Sequence, residues 1–257
     1  AGYAAGWHTF RLDAVADDGR EERGEATLGV CDWPPVEDFD DGLPDGWTAF
    51  GDAYWEPDGW LEITGNSQGR KGSMFRTSEQ VNAGNITLEF DISTGGGINS
   101  GADGYAVSVI AARDTNHLAL LLEGAADGGC LAYGWAPPCG EMSASAFHIE
   151  MDTWYNGEYN DSPTEQNHIA ITLNGDPSTH YFTALVPSLE DLVWRHVRVE
   201  VEGEEVRVFV DGEYVTGGVI PDFAFEGGFI GVSGSTGWAT NFHRFDNLQL
   251  LDHCTVP

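Results

Sequence analysis

The chain alternates apolar and polar residues over many short stretches, which is the pattern of half-buried β-strands. The alternation is clearest in HVRVEV and VRVFVDG, and the GEE segment between them predicts a hairpin turn. Gly, Asn, Asp and Pro separate the other apolar stretches, among them GWLEIT, ITLEFDIST, GYAVSVIAA, LALLLEG, HYFTALV and GFIGVSG. No segment has sustained helical periodicity. The pattern predicts an all-β chain, built as an antiparallel β-sandwich of jelly-roll type.

Residues 1–35 form a pattern of their own. HTFRLDAVA and ATLGVCDW alternate like strands, and the charged segment DDGREERGE predicts the turn between them. This hairpin fits two interpretations: the end of an immunoglobulin-like module, with a domain boundary near Pro34–Pro35, or an extra hairpin packed on the sandwich. In both cases the main domain is expected to span residues 36–257.

The chain carries a formal net charge of −31, from 42 acidic against 11 basic residues. Such a charge repels nucleic acid and anionic membranes, which makes both poor candidates for partners. It fits a saline environment, where salt screens the repulsion between carboxylates, and it equally fits an acidic extracellular protein with bound cations. No run approaches the roughly 20 apolar residues of a membrane span, so membrane insertion is not expected. The beginning of the sequence also lacks a basic-then-apolar signal segment.

Residues 147–171 carry the strongest chemical signal. Alternation places one set of side chains on a single face of a strand, namely His148, Glu150, Asp152 and Trp154. A polar loop with Asn156 and Asp161 follows, and alternation resumes at His168. Oxygen ligands of this kind suit Ca²⁺, whereas one imidazole with carboxylates suits a transition ion such as Mn²⁺. The alternative is an acidic surface loop beside a buried histidine.

This order of residues resembles the metal loop of the legume-type (L-type) lectins, which is Glu-x-Asp-x-aromatic-x-Asn, then Asp, then His before a hydrophobic strand. The resemblance implies a concanavalin A-like fold and two bound ions. In this chain Ca²⁺ would be bound by Asp152, the carbonyl of Trp154, Asn156 and Asp161. The second ion, Mn²⁺ or similar, would be bound by Glu150, Asp152, Asp161 and His168. In that family the ions are not catalytic, and they fix the loop so that the Asn amide and the aromatic ring face a sugar.

Three further segments are similar to sugar-binding loops of the same family. In GADG the resemblance implies that Asp103 accepts hydrogen bonds from sugar hydroxyls and follows a cis peptide bond. In GGCLAYG it implies that Gly129 donates its backbone N–H. In GVSGSTGW it implies sugar contacts from the backbone of Gly237, Trp238 and Ala239, with the indole as a stacking face. Each segment alone also fits a plain turn, and the Trp alone fits a core anchor, but their order along the chain matches the family.

The four cysteines form an even set. Cys130 and Cys139 flank a short Gly/Pro-rich segment and could close a local loop. Cys31 and Cys254 lie near the two ends of the main domain, and the first and last strands of such a sandwich usually lie side by side. The preferred pairings are therefore Cys130–Cys139 and Cys31–Cys254, with other pairings and free thiols still open. Disulfides would place the protein in an oxidising compartment.

Together these patterns predict a calcium-dependent carbohydrate-binding module of a secreted or cell-surface protein, without catalysis. The short segment 237–243 favours mannose or glucose by family resemblance, and the oligomeric state is left open by the sequence. One alternative is a laminarinase-like glycoside hydrolase, whose motif Glu-x-Asp-x-x-Glu starts like Glu150-Met151-Asp152. Tyr155 stands where the second Glu should be, and a phenol of pKa about 10 replaces a carboxylic acid poorly. A structural adhesin module merely stiffened by Ca²⁺ is the other alternative.

Overall fold

The computed structural model describes residues 6–15, 21–30, 36–99, 101–159, 161 and 167–252. In chain order the strands are β1 (Gly6–Val15), β2 (Glu21–Val30), β3 (Trp47–Gly51), β4 (Tyr54–Glu56), β5 (Trp60–Thr64), β6 (Lys71–Arg76), β7 (Ile86–Ile98), β8 (Gly104–Ile110), β9 (Ala146–Asp152), β10 (His168–Leu173), β11 (Phe182–Leu185), β12 (Arg195–Glu202), β13 (Glu205–Val210), β14 (Glu213–Val219), β15 (Phe229–Ser235) and β16 (Thr240–Asp252). Helix α1 (Thr115–Gly124) lies between β8 and β9. Short 3₁₀ turns follow at Gly128–Cys130 and Gly157–Tyr159.

Two antiparallel sheets of seven strands each form the main domain. The front sheet has the order β11-β10-β9-β8-β15-β6-β3, and the back sheet has the order β14-β13-β12-β7-β16-β5-β4. Strands that are adjacent within a sheet are often distant in sequence, as β8 and β15 show, because the chain crosses between the two sheets. This arrangement confirms the predicted antiparallel β-sandwich.

The core lies between the sheets and follows the alternation in the sequence. In β12 and β13 the inward side chains are fully buried, namely Val197, Val199, Val201, Val206 and Val208. Each side chain of this size contributes about 1.5–3 kcal/mol when removed from water. Glu202 pairs with Glu205 where β12 turns into β13, so the predicted hairpin turn is confirmed.

The outer face of the front sheet is also covered, which is why β8, β9 and β15 are buried along their whole length. The segment 113–142 packs over this face, and its Trp135 and buried leucines form a second apolar cluster with Phe75, Ile110 and Phe229 of the sheet. Within this segment Cys130 and Cys139 form a disulfide that closes a local loop, which confirms that predicted pairing.

Helix α1 corrects one sequence prediction, because LALLLEG was expected to be a strand. Asp114 caps the helix and accepts a hydrogen bond from the His117 N–H at 2.7 Å. Three leucines at helical spacing are buried against the sheet, namely Leu118, Leu121 and Leu122. At the other end the Lys71 ammonium donates to the carbonyls of Glu123 and Ala125 at 3.1 and 2.7 Å. A capping Asp and the i, i+3, i+4 spacing were the signals that the sequence reading missed.

The N-terminal hairpin is present as the antiparallel pair β1–β2, in register from Gly6 opposite Val30 to Val15 opposite Glu21. Strand β2 begins at Glu21, within the charged segment that was predicted to be the turn, so the second half of that segment belongs to the strand. Assignment of this hairpin to a separate domain stays a prediction. Cys31 and Cys254, and with them their predicted bridge, lie outside the described residues. Within the described part of the chain, no helix has the length and apolar character needed to cross a membrane.

Candidate functional site

Three strand ends meet at one end of the front sheet. Strand β8 begins there at Gly104, β9 ends there at Asp152, and β10 begins there at His168. In the register of the sheet Asp152 is opposite both Gly104 and His168. The backbone therefore brings the loops before β8, after β9 and before β10 to the same place.

A buried cluster of carboxylates and imidazole occupies this end. Glu150, Asp152 and His168 are each 2 % exposed, and Asp161 is 6 % exposed. The His168 Nε2 lies 3.4 Å from the Glu150 Oε1 and 3.8 Å from the Asp161 Oδ1. The structure thus brings together the four residues predicted to hold the second ion.

Burial dominates the electrostatics of this cluster. It raises the pKa of Asp152 well above its usual range, and the charges of Glu150 and Asp161 raise it further. Burial likewise raises the pKa of Asp161. For His168 burial lowers the pKa, but the neighbouring Glu150 carboxylate and the Asp161 charge outweigh it, and the net shift is upward. Without a positive charge among them, these carboxylates are costly to ionise together.

Several polar atoms that face this cluster are left without a hydrogen-bond partner among the described residues. They are the Asn156 Oδ1, the Asp161 Oδ1, the His168 Nε2 and the Asp103 Oδ2. Leaving such a buried atom unpaired costs about 1–3 kcal/mol, and more for a charged group. A divalent cation would accept electron pairs from these atoms and neutralise the carboxylates. Two sets of side chains place their ligand atoms within 4.8 Å of one another, close enough to bind one ion. The first set is Asp152, Asp161 and His168, and the second is Glu150, His168 and His180.

The loop after β9 is folded by its own hydrogen bonds. The Trp154 N–H donates to the Asp152 Oδ1 at 2.6 Å, and the Asn156 N–H donates to the Asp161 Oδ2. The Tyr159 N–H donates to the Asn156 carbonyl at 2.8 Å. These contacts curl the loop around the predicted calcium ligands.

Hydrogen bonds from neighbouring segments fix the side chains of Glu150 and of His148 on the same strand. The Tyr133 hydroxyl donates to the Glu150 Oε2, and it accepts from the Thr172 hydroxyl at 3.0 Å. His148 has no ligand role in the structure, because its Nε2 accepts from the Gly175 N–H at 3.1 Å and its Nδ1 contacts the Ser108 hydroxyl at 2.7 Å. Burial lowers the pKa of His148 to about 3, so this imidazole stays neutral.

Asp103 lies beside the cluster and follows a cis peptide bond from Ala102, as predicted. Thr153 holds its carbonyl, with the backbone N–H donating at 2.9 Å and the hydroxyl at 3.1 Å. Burial raises the pKa of the Asp103 carboxyl to about 6, although a hydrogen bond from the Gly237 N–H opposes the shift. The structure therefore brings Asp103 and Gly237 into contact, with the Gly237 N–H directed at the carboxylate.

Gly129 is packed against the same loop. A Cβ atom at this position would lie 2.4 Å from the Asn156 Oδ1 and 2.7 Å from the Tyr159 ring, so a side chain is excluded. The Ser235 hydroxyl donates to the Gly128 carbonyl at 2.7 Å and joins this turn to β15. Two of the three predicted sugar loops, those with Asp103 and Gly129, thus contact the predicted metal loop, and the third contacts Asp103 through Gly237.

The two predicted tryptophans differ in exposure. Trp154 is half-buried, whereas Trp238 is 68 % exposed and its ring is open to solvent. The Trp238 carbonyl accepts from the Gln68 amide at 2.5 Å and from the Asn99 amide at 3.3 Å. Ala239 is buried, so its side chain does not reach the surface.

Three polar residues near the site were missed by the sequence reading. The Asn241 amide donates to the Glu190 Oε1 at 2.9 Å and lies 3.4 Å from the Thr153 hydroxyl. His180 places its Nε2 4.0 Å from the Glu150 Oε1. These residues come from distant segments of the chain, and their spacing along it carried no motif.

Comparisons with known proteins agree with this geometry at the level of the fold. No protein-family model and no curated protein matches the sequence. The VIP36 exoplasmic/lumenal domain in a Ca²⁺/Man3GlcNAc-bound form superposes with a TM-score of 0.62 at 14% identity, over 82% of this chain and 86% of that one. The Emp47p carbohydrate recognition domain gives 0.61 at 16% identity, over 84% and 94% of the two chains.

A plant protein has the same architecture. The lectin from Bauhinia forficata in complex with GalNAc gives a TM-score of 0.63 at 19% identity, over 84% of this chain and 98% of that one. These neighbours are L-type lectin domains. The chain has their fold, which the resemblance of its motifs predicted.

Proposed function

We propose that this chain is a calcium-dependent carbohydrate-binding module without catalytic activity. The observation that carries the proposal is the meeting of Asp103, Gly129 and Asn156 beside a buried carboxylate cluster, where several facing polar atoms lack hydrogen-bond partners among the described residues. Structural neighbours with this fold include forms bound to Ca²⁺ and to mannose-containing glycans.

In this proposal the metal loop holds two ions. Ca²⁺ is bound by Asp152, the Trp154 carbonyl, Asn156 and Asp161. A second divalent ion is bound by Glu150, Asp152, Asp161 and His168. The ions supply positive charge that offsets the buried carboxylates, and they hold the loop in the one shape that presents the Asn156 amide outward.

The sugar would lie over the rim formed by the three loops. Asp103 accepts hydrogen bonds from hydroxyl groups, and at neutral pH its carboxyl is ionised because its pKa is about 6. The Gly129 N–H and the Asn156 amide donate, and the backbone of Gly237 and Trp238 closes the other side. Trp154 forms an apolar wall for the ring face. We propose a mannose- or glucose-type ligand.

The absence of hydrolysis is part of the proposal. A retaining glycosidase needs two carboxyl groups about 5–5.5 Å apart, one on each side of the scissile bond. Tyr155 takes the position where the second carboxylate would follow Glu150 and Asp152, and its ring is 40 % exposed. A tyrosine in place of a carboxylic acid at that position supports binding rather than cleavage.

We further propose that the protein works in an oxidising compartment, secreted or at a cell surface. The Cys130–Cys139 disulfide supports this setting. The VIP36 domain with the same fold is exoplasmic or lumenal.

A glycan array tests the proposal most broadly. The calcium-loaded protein should bind mannose- or glucose-containing glycans, and EDTA or Asp103→Asn should abolish the signal. Because Asn keeps the size of Asp103 but loses its charge, the variant should keep the melting temperature within a few degrees. Binding that survives EDTA would reject calcium dependence, and a blank array with calcium present would favour a purely structural module.

A further inference from the structure

His180 brings a second imidazole to the carboxylate cluster. Its ring centroid lies 5.4 Å from that of His168, and its Nε2 lies 4.0 Å from the Glu150 Oε1. The side chain is only 7 % exposed. A histidine here was not part of the ligand set implied by the sequence resemblance, which contains one imidazole.

The turn between β10 and β11 fixes the position of His180. The Asp176 Oδ1 accepts from the Ser178 N–H at 2.8 Å and from the Ser178 hydroxyl at 2.6 Å, and its Oδ2 accepts from the Thr179 hydroxyl at 2.8 Å. On the other side of His180 the Tyr181 N–H donates to the Ile171 carbonyl at 2.9 Å. The imidazole is therefore carried on a turn that is hydrogen-bonded at both ends.

Glu150 directs a single oxygen toward the two imidazoles. Its Oε2 accepts from the Tyr133 hydroxyl, whereas its Oε1 is the atom nearest to both His168 and His180. One ligand atom from each of Glu150, His168 and His180 lies within 4.8 Å of the other two. The His168 Nε2 is buried without a hydrogen-bond partner among the described residues, so it is available to an ion.

Two imidazoles and carboxylate oxygens are a different donor set from one imidazole and carboxylates. Imidazole nitrogen suits Zn²⁺, Cu²⁺, Ni²⁺ and Fe²⁺, whereas Ca²⁺ and Mn²⁺ favour oxygen. Among the ordinary divalent ions of proteins, Zn²⁺ takes His and carboxylate ligands in a compact tetrahedral arrangement. The His180 Nε2 lies 3.0 Å from the Pro177 carbonyl, so coordination at this nitrogen would replace one hydrogen bond.

We propose that the second ion position is a zinc-class site in which His180 is a ligand together with Glu150 and His168. The resemblance implied Mn²⁺ at this position, and the second imidazole shifts the preference toward Zn²⁺. Calcium remains at the oxygen-rich part of the loop around Asp161. The inference rests on the proposed function for the second ion position and for that neighbouring calcium ion, and it does not depend on sugar binding.

Metal titration of the chelator-stripped protein tests the inference. Isothermal titration calorimetry with Zn²⁺, Mn²⁺ and Ca²⁺ is carried out on the wild type, on His180→Asn and on His196→Asn, a control at a half-exposed histidine of the back sheet. We expect the wild type to bind Zn²⁺ more tightly than Mn²⁺. His180→Asn should lower the Zn²⁺ affinity at least tenfold and change the Ca²⁺ affinity less than threefold, and the control should change neither.

His180→Asp separates loss of a ligand from loss of the fold. This variant keeps an oxygen ligand in place of the imidazole, so its ratio of Zn²⁺ to Mn²⁺ affinity should fall at least tenfold while metal binding persists. The visible absorption of bound Co²⁺ should change in both His180 variants and stay the same in the control. An affinity ratio and a Co²⁺ spectrum that do not respond to His180 would overturn the inference.

The outcome is independent of glycan binding. If Zn²⁺ binding depends on His180 and no glycan binds, the inference stands and the proposed function fails. If glycans bind in a calcium-dependent manner and the Zn²⁺ affinity is unchanged in the His180 variants, the proposed function stands and the inference fails.

Discussion

Gly129 is so close to Asn156 that a Cβ atom at position 129 would lie 2.4 Å from the Asn156 Oδ1. The turn that carries the glycine therefore packs directly against the side chain of the asparagine. Since the same Oδ1 lacks a partner among the described residues, this contact joins a proposed sugar-binding backbone to a proposed calcium ligand.

Gly129→Ala should displace Asn156 and weaken both calcium and glycan binding. Overpacking of this kind costs about 1–3 kcal/mol, which corresponds to a loss of roughly 5- to 150-fold in affinity. Gly65→Ala is the matched control, because its Cβ would meet nothing within 4 Å. Calorimetric titration with Ca²⁺ and with a mannose oligosaccharide measures both effects. Equal affinities in the two variants would show that the contact is not required.

Tyr133→Phe should weaken metal binding without exposing the core. The change removes the hydroxyl that donates to Glu150, and loss of such a supporting hydrogen bond typically lowers metal affinity 10- to 100-fold. Tyr214→Phe removes an exposed hydroxyl on the back sheet and serves as control. Titration with the second divalent ion gives the readout, and an unchanged affinity in Tyr133→Phe would mean that Glu150 does not need this donor.

Calcium should stabilise the folded protein by mass action. At a concentration 100-fold above the dissociation constant the gain is about 2.7 kcal/mol, or roughly 5–10 °C in melting temperature for a domain of this size. Asp161→Asn should remove most of this gain, because Asn keeps the oxygen that accepts from Asn156 but loses the charge. Asp58→Asn, at an exposed position, is the control and should keep the full gain in stability from calcium. Differential scanning calorimetry with and without EDTA measures the shift in melting temperature, and a full shift in Asp161→Asn would contradict the assignment of Asp161 as a ligand.

Glu62 on the back sheet should give a pH dependence unrelated to metal. Burial raises its pKa from 4.5 to about 7, although the charge of Arg244 and hydrogen bonds from Trp60 and Arg244 oppose the shift. Because the pKa is higher in the folded state, the folded protein binds the extra proton between these values. Stability therefore falls as the pH rises from about 4.5 to 7.

Glu62→Gln should remove this dependence. The free energy of unfolding of the variant, relative to the wild type, should rise by about 1–3 kcal/mol between pH 5 and pH 8. Urea unfolding at constant calcium concentration measures the difference, and Glu79→Gln at an exposed position is the control. A difference that is constant with pH would show that Glu62 titrates normally in the folded protein.

The sequence predicted what depends on local pattern. Alternation in β12 and β13 identified their buried valines, because a side chain's face in a strand follows from its position along the chain. The spacing from Glu150 to His168 predicted that these side chains come together, because strand β9, its loop and strand β10 are consecutive. Asp103 and Gly129 were selected as sugar-binding candidates through family resemblance, since neither residue type is distinctive alone.

What the sequence did not predict depends on contacts between distant segments. Helix α1 was taken for a strand because LALLLEG is continuously apolar, and only its packing on the covered face of the front sheet decides between the two. His180 is separated from His168 by most of β10 and a turn, and Glu190 meets Asn241 across 51 positions. The spacing of residues along the sequence does not predict contacts of this kind.

Calorimetric titration of a mannose trisaccharide into the protein, with calcium present, removed by chelation and then restored, is the sharpest test of a calcium-ordered sugar site. We expect binding with calcium, no measurable heat after chelation and full recovery when calcium is added back. Asp103→Asn should show no binding in any of the three states. Equal affinity with and without calcium would contradict the claim that an ion-ordered loop creates the sugar site.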